Sequence, residues 1–240
     1  MKTVLVTGAS GRVGAEIVRE FHRNNYNVLI HVRHKRPEVI ELLEELNQKC
    51  SNSAFIVSGE LSQLSGIEDL VKQVLKITPQ LDVLVNNASR FYPTKMGETT
   101  VKQWQDLMAS NLFAPFFLTQ ELMNNISNCV VNIVDIHAQR PMKDYPVYST
   151  TKAGLQMLTK SMAKELAPNI RVNGIAPGAI LWPQKEAELP LEAKQNILNK
   201  IALKKQGTPS DIAKAVFFLT KNKYITGQII NIDGGRSLNQ

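Results

Sequence analysis

Along this chain, short apolar runs rich in β-branched residues alternate with longer stretches whose apolar positions recur at helical spacing. The apolar runs fall at residues 3–7, 27–32, 54–57, 81–85, 129–134, 170–175 and 228–232. Amphipathic stretches lie between them, at 39–48, 67–77, 111–124 and 147–166. Thr208-Pro209-Ser210-Asp211 reads as a helix start: a hydroxyl to cap, proline in the first turn, an acid three residues on. Continuous apolar strands separated by helices predict an α/β fold, a Rossmann-type doubly wound seven-stranded parallel sheet with helices on both faces. No repeat or break in composition marks a second domain, so one domain over 1–240 is expected. The longest irregular region, 178–190, predicts a mobile lid within a substrate segment at about 178–205.

Composition narrows the class. A chain of 240 residues with 43% hydrophobic content can bury a full core. The two cysteines, Cys50 and Cys129, suggest neither a disulfide framework nor a metal site. No secretory leader is visible and no run approaches the roughly 18 apolar residues of a membrane span. A cytoplasmic protein is therefore expected. The net charge of +7 is scattered except for one dense cluster, Arg33-His34-Lys35-Arg36. No aromatic residues interleave with it, so a phosphorylated small molecule fits better than nucleic acid.

The first run ends in Thr7-Gly8-Ala9-Ser10-Gly11-Arg12-Val13-Gly14, followed by an amphipathic helix. Glycines there let the backbone turn tightly and approach a pyrophosphate, which rests on the positive end of the helix. Alone, the pattern also fits a plain tight turn; its place in the first strand–helix unit favours a nucleotide. The second run ends in Arg33, His34 and Lys35 with no acid before Glu38. Basic residues at that place accommodate a 2′-phosphate, which points to NADP(H) over NAD(H). Glu60-Leu61, after the third run, would meet the adenine.

Tyr148 and Lys152 stand one helical turn apart, and Asp135 precedes the tyrosine by thirteen residues. A cation one turn from a phenol can hold it near ionisation, so that the phenol passes a proton at neutral pH. Tyr145 is followed four residues on by Ser149, not by a lysine.

Together with Asn86-Asn87-Ala88, Asn111, Pro177-Gly178 and Asp233-Gly234-Gly235, these motifs resemble the short-chain dehydrogenase/reductase family over essentially the whole chain. The resemblance implies that Tyr148 donates the proton and that Lys152 binds the nicotinamide ribose and lowers the tyrosine pKa. It implies that Asn111 supports a proton-relay water. Cofactor contacts would come from Gly8, Ser10, Arg12, Val13, Gly14, Asn87, Ala88, Ser89, Pro177 and Gly178, with Arg33, His34, Lys35, Glu60 and Leu61 about the adenosine end.

Two departures refine the expectation. Gly11-Arg12 places an arginine beside the pyrophosphate, and Asp135 stands where most members carry a serine. An aspartate repels a carbonyl oxygen but accepts hydrogen bonds from ring or amino N–H groups. These features, with Ser89 and Phe91-Tyr92-Pro93-Thr94, resemble the pteridine reductases, including the dihydromonapterin and dihydrobiopterin reductase type. The resemblance implies an NADPH-dependent reductase of dihydropterins, and of dihydrofolate as a further substrate. Arg12, Ser89, Phe91, Asp135, Tyr148, Leu181 and Trp182 would contact the substrate, with no metal. A carbonyl reductase acting on 3-oxoacyl thioesters is the alternative, and an NADP(H)-binding regulatory protein without catalysis a third reading. The family's usual homotetramer implies burial of the helices around 111–124 and 148–166.

Overall fold

The computed structural model describes residues 1–182 and 190–238. The apolar runs become seven strands: β1 (Lys2–Val6), β2 (Tyr26–Val32), β3 (Ala54–Ser58), β4 (Leu81–Asn86), β5 (Ile126–Ile133), β6 (Arg171–Pro177) and β7 (Ile229–Ile232). Every pairing is parallel, in the order β3-β2-β1-β4-β5-β6-β7. The chain reverses its direction across the sheet between β1 and β4, which opens a crevice at the strands' carboxyl ends.

Alternation along the strands feeds two apolar layers. Val4, Val6, Val28, Ile30, Val83, Val85 and Val131 face one way. They are covered by α1 (Arg12–Arg23), α2 (Pro37–Lys49) and α8 (Pro209–Lys221). Leu5, Leu29, Leu84, Val130 and Val172 face the other way, beneath α3 (Leu64–Ile77), α5 (Ala114–Leu122) and α6 (Pro146–Glu165). Shortening a fully buried member such as Leu70 or Leu84 to alanine should cost about 2–5 kcal/mol.

Thr208 caps α8 as expected: its hydroxyl accepts from the Asp211 N–H, and Asp211 returns the bond to the Thr208 N–H. The same device, Thr100 with Gln103, starts α4 (Val101–Met108), which the helical periodicity does not reveal. Asn111 lies in a π-helical turn, Ala109–Phe113, ahead of α5. Strand β5 begins earlier than expected, at Ile126. The predicted lid falls partly outside the described residues; α7 (Leu191–Asn199) lies within the predicted substrate segment. None of the described helices is long and apolar enough to cross a membrane. Trp104, Met108, Phe113, Phe116 and Met157 line an apolar groove between α4, α5 and α6.

Candidate active site

At the carboxyl end of β1 the backbone turns through Gly8, whose φ is +63°. A Cβ there would stand 2.7 Å from the Ala88 Cα, so only glycine permits this approach to the end of β4. Side chains then tie the strand ends together. Thr7 Oγ1 accepts from the N–H groups of Asn87 and Ala88, both at 3.0 Å. Asn87 Nδ2 donates back to the Thr7 and Gly8 carbonyls, at 2.8 and 3.1 Å.

His31, which the sequence presents as one more strand residue, completes this lattice. The Gly8 N–H donates to His31 Nδ1 at 3.2 Å, so the ring proton sits on Nε2, which donates to the Gly59 carbonyl at 3.1 Å. One neutral tautomer satisfies both partners. Burial pushes the His31 pKa down to about 4, against a smaller upward pull from the Gly59 carbonyl.

Helix α1 begins immediately after this turn, and no side chain caps it at Gly11. Its first-turn N–H groups lack a capping partner, which makes an anion site. They border a cavity of about 450 Å³ lined by Gly8, Ser10, Gly11, Arg12, Val13, Gly14, His31, Arg33, Glu60, Leu61, Asn87, Ala88, Ser89 and Arg90. The uncapped helix end, the glycine turn and the adjoining cations fit a dinucleotide. Of the three residues expected to meet the 2′-phosphate, all of them exposed, Arg33 lines the cavity, whereas His34 and Lys35 lie outside its lining. Arg33 lies 3.7 Å from Glu60, which Arg90 also approaches at 3.5 Å. Burial pushes the Glu60 carboxyl up, but the Ser62 N–H and then these two arginines hold it lower overall. Arg12 reaches across to the Trp182 carbonyl at 3.3 Å, and Leu181 closes the same cavity.

The second half of the crevice lies over β5 to β7. Tyr148 and Lys152 occupy one face of α6, 5% and 2% exposed. The Tyr148 hydroxyl donates to Asp135 Oδ2 at 2.8 Å, and the other carboxylate oxygen accepts from the His137 N–H at 2.8 Å. Lys152 Nζ donates to the Ile133 carbonyl at 2.9 Å and lies 5.7 Å from the centre of the Tyr148 ring. Burial pushes the Lys152 pKa down to about 8, partly opposed by Asp135. Tyr148 is raised well above the ordinary phenol value, by burial first and then by the charge and hydrogen bond of Asp135. This is opposite in direction to the lysine-driven lowering expected from the sequence, because burial disfavours the phenolate and the Asp135 carboxylate accepts the phenol's proton.

Asn111 is fully buried, and protein groups surround its amide. Its oxygen accepts from the Arg90 N–H, Ser110 and Ser89, while Nδ2 donates to the Arg90 carbonyl and to Thr151. It therefore pins the loop after β4 onto α6. On that loop Phe91 is half exposed and stacks flat on Tyr145, with ring centres 4.6 Å apart and planes 10° from parallel. It also meets Tyr148 in an edge-to-face arrangement, with ring centres 4.8 Å apart. Tyr145, set aside on sequence grounds for lacking a lysine partner, thus belongs to the aromatic wall of the site. Pro177 ends β6, and Gly178 is packed against Asp233 at the end of β7.

Comparison with known proteins agrees with this architecture. Residues 8–237 match the family model described as Enoyl-(Acyl carrier protein) reductase. Pteridine reductase 1 of Leishmania tarentolae is 32% identical, over 98% of this chain and 96% of its own length. The 3-oxoacyl-acyl-carrier-protein reductase FabG of Staphylococcus epidermidis is also 32% identical, over 98% of both chains. Glucose 1-dehydrogenase 2 of Bacillus subtilis matches at 32%, over 99% of this chain and 95% of its own. Relatives named for three different substrates thus stand equally near, and the likeness establishes the family without selecting among them. With its seven-stranded parallel sheet, glycine turn and paired tyrosine and lysine, this chain belongs to the short-chain dehydrogenase/reductase family of oxidoreductases.

Proposed function

We infer that the protein is an NADPH-dependent reductase of dihydropterins. The observation that carries this reading is the Asp135 carboxylate, held 2.8 Å from the Tyr148 hydroxyl beside the half-exposed ring of Phe91. A carboxylate next to an aromatic platform suits a flat ring with N–H donors and repels the oxygen of a plain ketone. When bound, the reduced nicotinamide supplies a hydride to a ring carbon. The chain's own residues handle the proton. Tyr148, raised in pKa, stays protonated at neutral pH, and the Tyr148–Asp135 pair holds the proton that the adjacent ring nitrogen takes. Lys152, at about 8, is still largely cationic at neutral pH and offsets the charge of Asp135. Arg33 would meet the 2′-phosphate, and the N–H groups at the start of α1 the pyrophosphate. The apolar groove of α4–α6 supports self-association, as in the family's usual tetramers.

A 3-oxoacyl-thioester reductase is the second reading, favoured by the equal identity to FabG. One experiment separates the two. NADPH oxidation is followed with dihydrobiopterin, dihydromonapterin, dihydrofolate and an acetoacetyl thioester, in wild type and Asp135→Ser. Pterin turnover that collapses in Asp135→Ser supports the first reading. Thioester turnover alone rejects it, and pterin turnover indifferent to the substitution removes Asp135 as its basis.

A further inference from the structure

Strands β5, β6 and β7 end side by side, so that Asp135, Gly178 and the turn after β7 follow one another across the edge of the crevice. That last turn is firmly held. Asp233 accepts from the Gly235 N–H at 2.9 Å and from the Ser237 N–H at 2.7 Å. Arg140, from the segment after β5, donates through Nη1 to the Arg236 carbonyl at 3.2 Å and the Ser237 carbonyl at 2.9 Å. Gly178 approaches from the other side, where a Cβ would stand 2.6 Å from Asp233 Cβ. The backbone of Arg236 is thereby fixed beside the chemical half of the site.

Its side chain is half-buried, and the guanidinium makes no hydrogen bond or ion pair with any described residue. Burial pushes its pKa down, Asp135 pulls it up, Arg140 lowers it and Asp233 raises it again. A guanidinium partly stripped of water, with carboxylates near it but none hydrogen-bonded to it among the described residues, is costly to the apo protein. Its five donors form a rigid fork that matches a carboxylate or a phosphate. Strands β5 and β7 stand two spacings apart, about 10 Å. The backbone of Arg236 is displaced by that distance from Asp135 along the edge of the crevice, while its guanidinium stays within range of the Asp135 charge.

We propose that Arg236 is a specificity residue that binds an anionic group, a carboxylate or a phosphate ester, on the tail of the substrate. The proposal takes the position of the reacting ring from the reductase reading and adds the chemical class of the tail.

Two substrate pairs keep the two ideas separable. Dihydrofolate and dihydrobiopterin share a ring, but only the first carries carboxylates. Acetoacetyl coenzyme A and acetoacetyl-N-acetylcysteamine share a ketone, but only the first carries phosphates. The pair that turns over decides the reaction; the KM ratio within that pair decides the role of Arg236. Wild type should prefer the charged member. Arg236→Gln should raise its KM roughly 10- to 100-fold more than that of the neutral member, with kcat changed alike for both. Arg236→Lys should recover part of the preference. Calorimetry of the same compounds on protein loaded with NADP+ repeats the comparison without turnover. A wild type with no preference for the charged member of either pair, by turnover or by binding, overturns the proposal. So does an Arg236→Gln variant that weakens both members equally.

Discussion

The two halves of the crevice are held in place by different kinds of interaction. Over β1 to β4, neutral groups bond to the main chain: Thr7 and Asn87 join β1 to β4, and His31 links the glycine turn to Gly59. Over β5 to β7, ionisable groups lie buried against one another, with Tyr148 on Asp135 and Lys152 on a β5 carbonyl. The strand ends of the first half are thus tied together by groups that carry no charge, and its cations, Arg12, Arg33 and Arg90, stand around them at the cavity. The second stores opposed pKa shifts, an acid kept protonated beside a cation whose pKa is lowered towards the neutral range. A cofactor needs a fixed mould, whereas proton transfer needs groups whose charge can change.

Substitutions that remove the proton chemistry should have the largest effect. Tyr148→Phe keeps the ring in its place, so turnover should fall by about 100- to 10,000-fold while NADPH binding, read by fluorescence, persists. Unimpaired turnover would detach the chemistry from this pair.

Stability against pH tests the stored charge directly. Folded Lys152 titrates at about 8 instead of 10.5, so across that window the unfolded chain holds a proton that the folded chain has released. Wild-type stability should therefore gain up to about 3 kcal/mol from this group as pH rises through the window, and Lys152→Met should lose that gain. Urea unfolding at both ends of the window measures the difference; parallel curves for the two proteins would contradict it.

The neutral half should respond at the acid end. His31 titrates at about 4 against 6.5 in the unfolded chain, so its contribution is complete above 6.5 and declines as pH falls towards 4. His31→Gln should flatten this acid limb by about 3 kcal/mol or less, with both active-site shifts unaltered. An equally steep limb in the variant would mean that other groups drive the acid loss.

The smallest expected effect concerns cofactor choice. Arg33 is half exposed and already engaged with Glu60. Arg33→Ala should lower the ratio of kcat/KM for NADPH over NADH by roughly 10- to 100-fold, one charge-assisted contact. A ratio that does not move would shift the 2′-phosphate to His34 or Lys35.

The parts legible in the sequence were those whose signal is local. Thr208 announces α8 because capping needs only residues three apart, and the strands announce themselves by apolar composition. Helix α7 buries none of its residues, so it carries no apolar stripe to be read. Helix α4 buries only Leu107 and is too short for its period to emerge, although its Thr100–Gln103 capping pattern stood in plain view. Tyr145 looked like a spare aromatic until the fold laid it on Phe91, fifty-four positions away. Asn111 was recognisable by its place, but the five bonds around its amide depend on a loop, a π turn and α6 meeting at one point.

By itself, then, the sequence determined the alternation of strands with the longer helices, the glycine turn and the Asp135–Tyr148–Lys152 spacing, because periodicity, backbone freedom and helical rise act over a few residues. The tertiary structure alone decided the tautomer of His31, the upward shift of Tyr148, the lowered pKa of Lys152 and the half-buried Arg236 after β7, whose guanidinium bonds to none of the described residues. Desolvation and Coulomb interactions act through space, and the neighbours that set them come from strands and helices far apart in the chain.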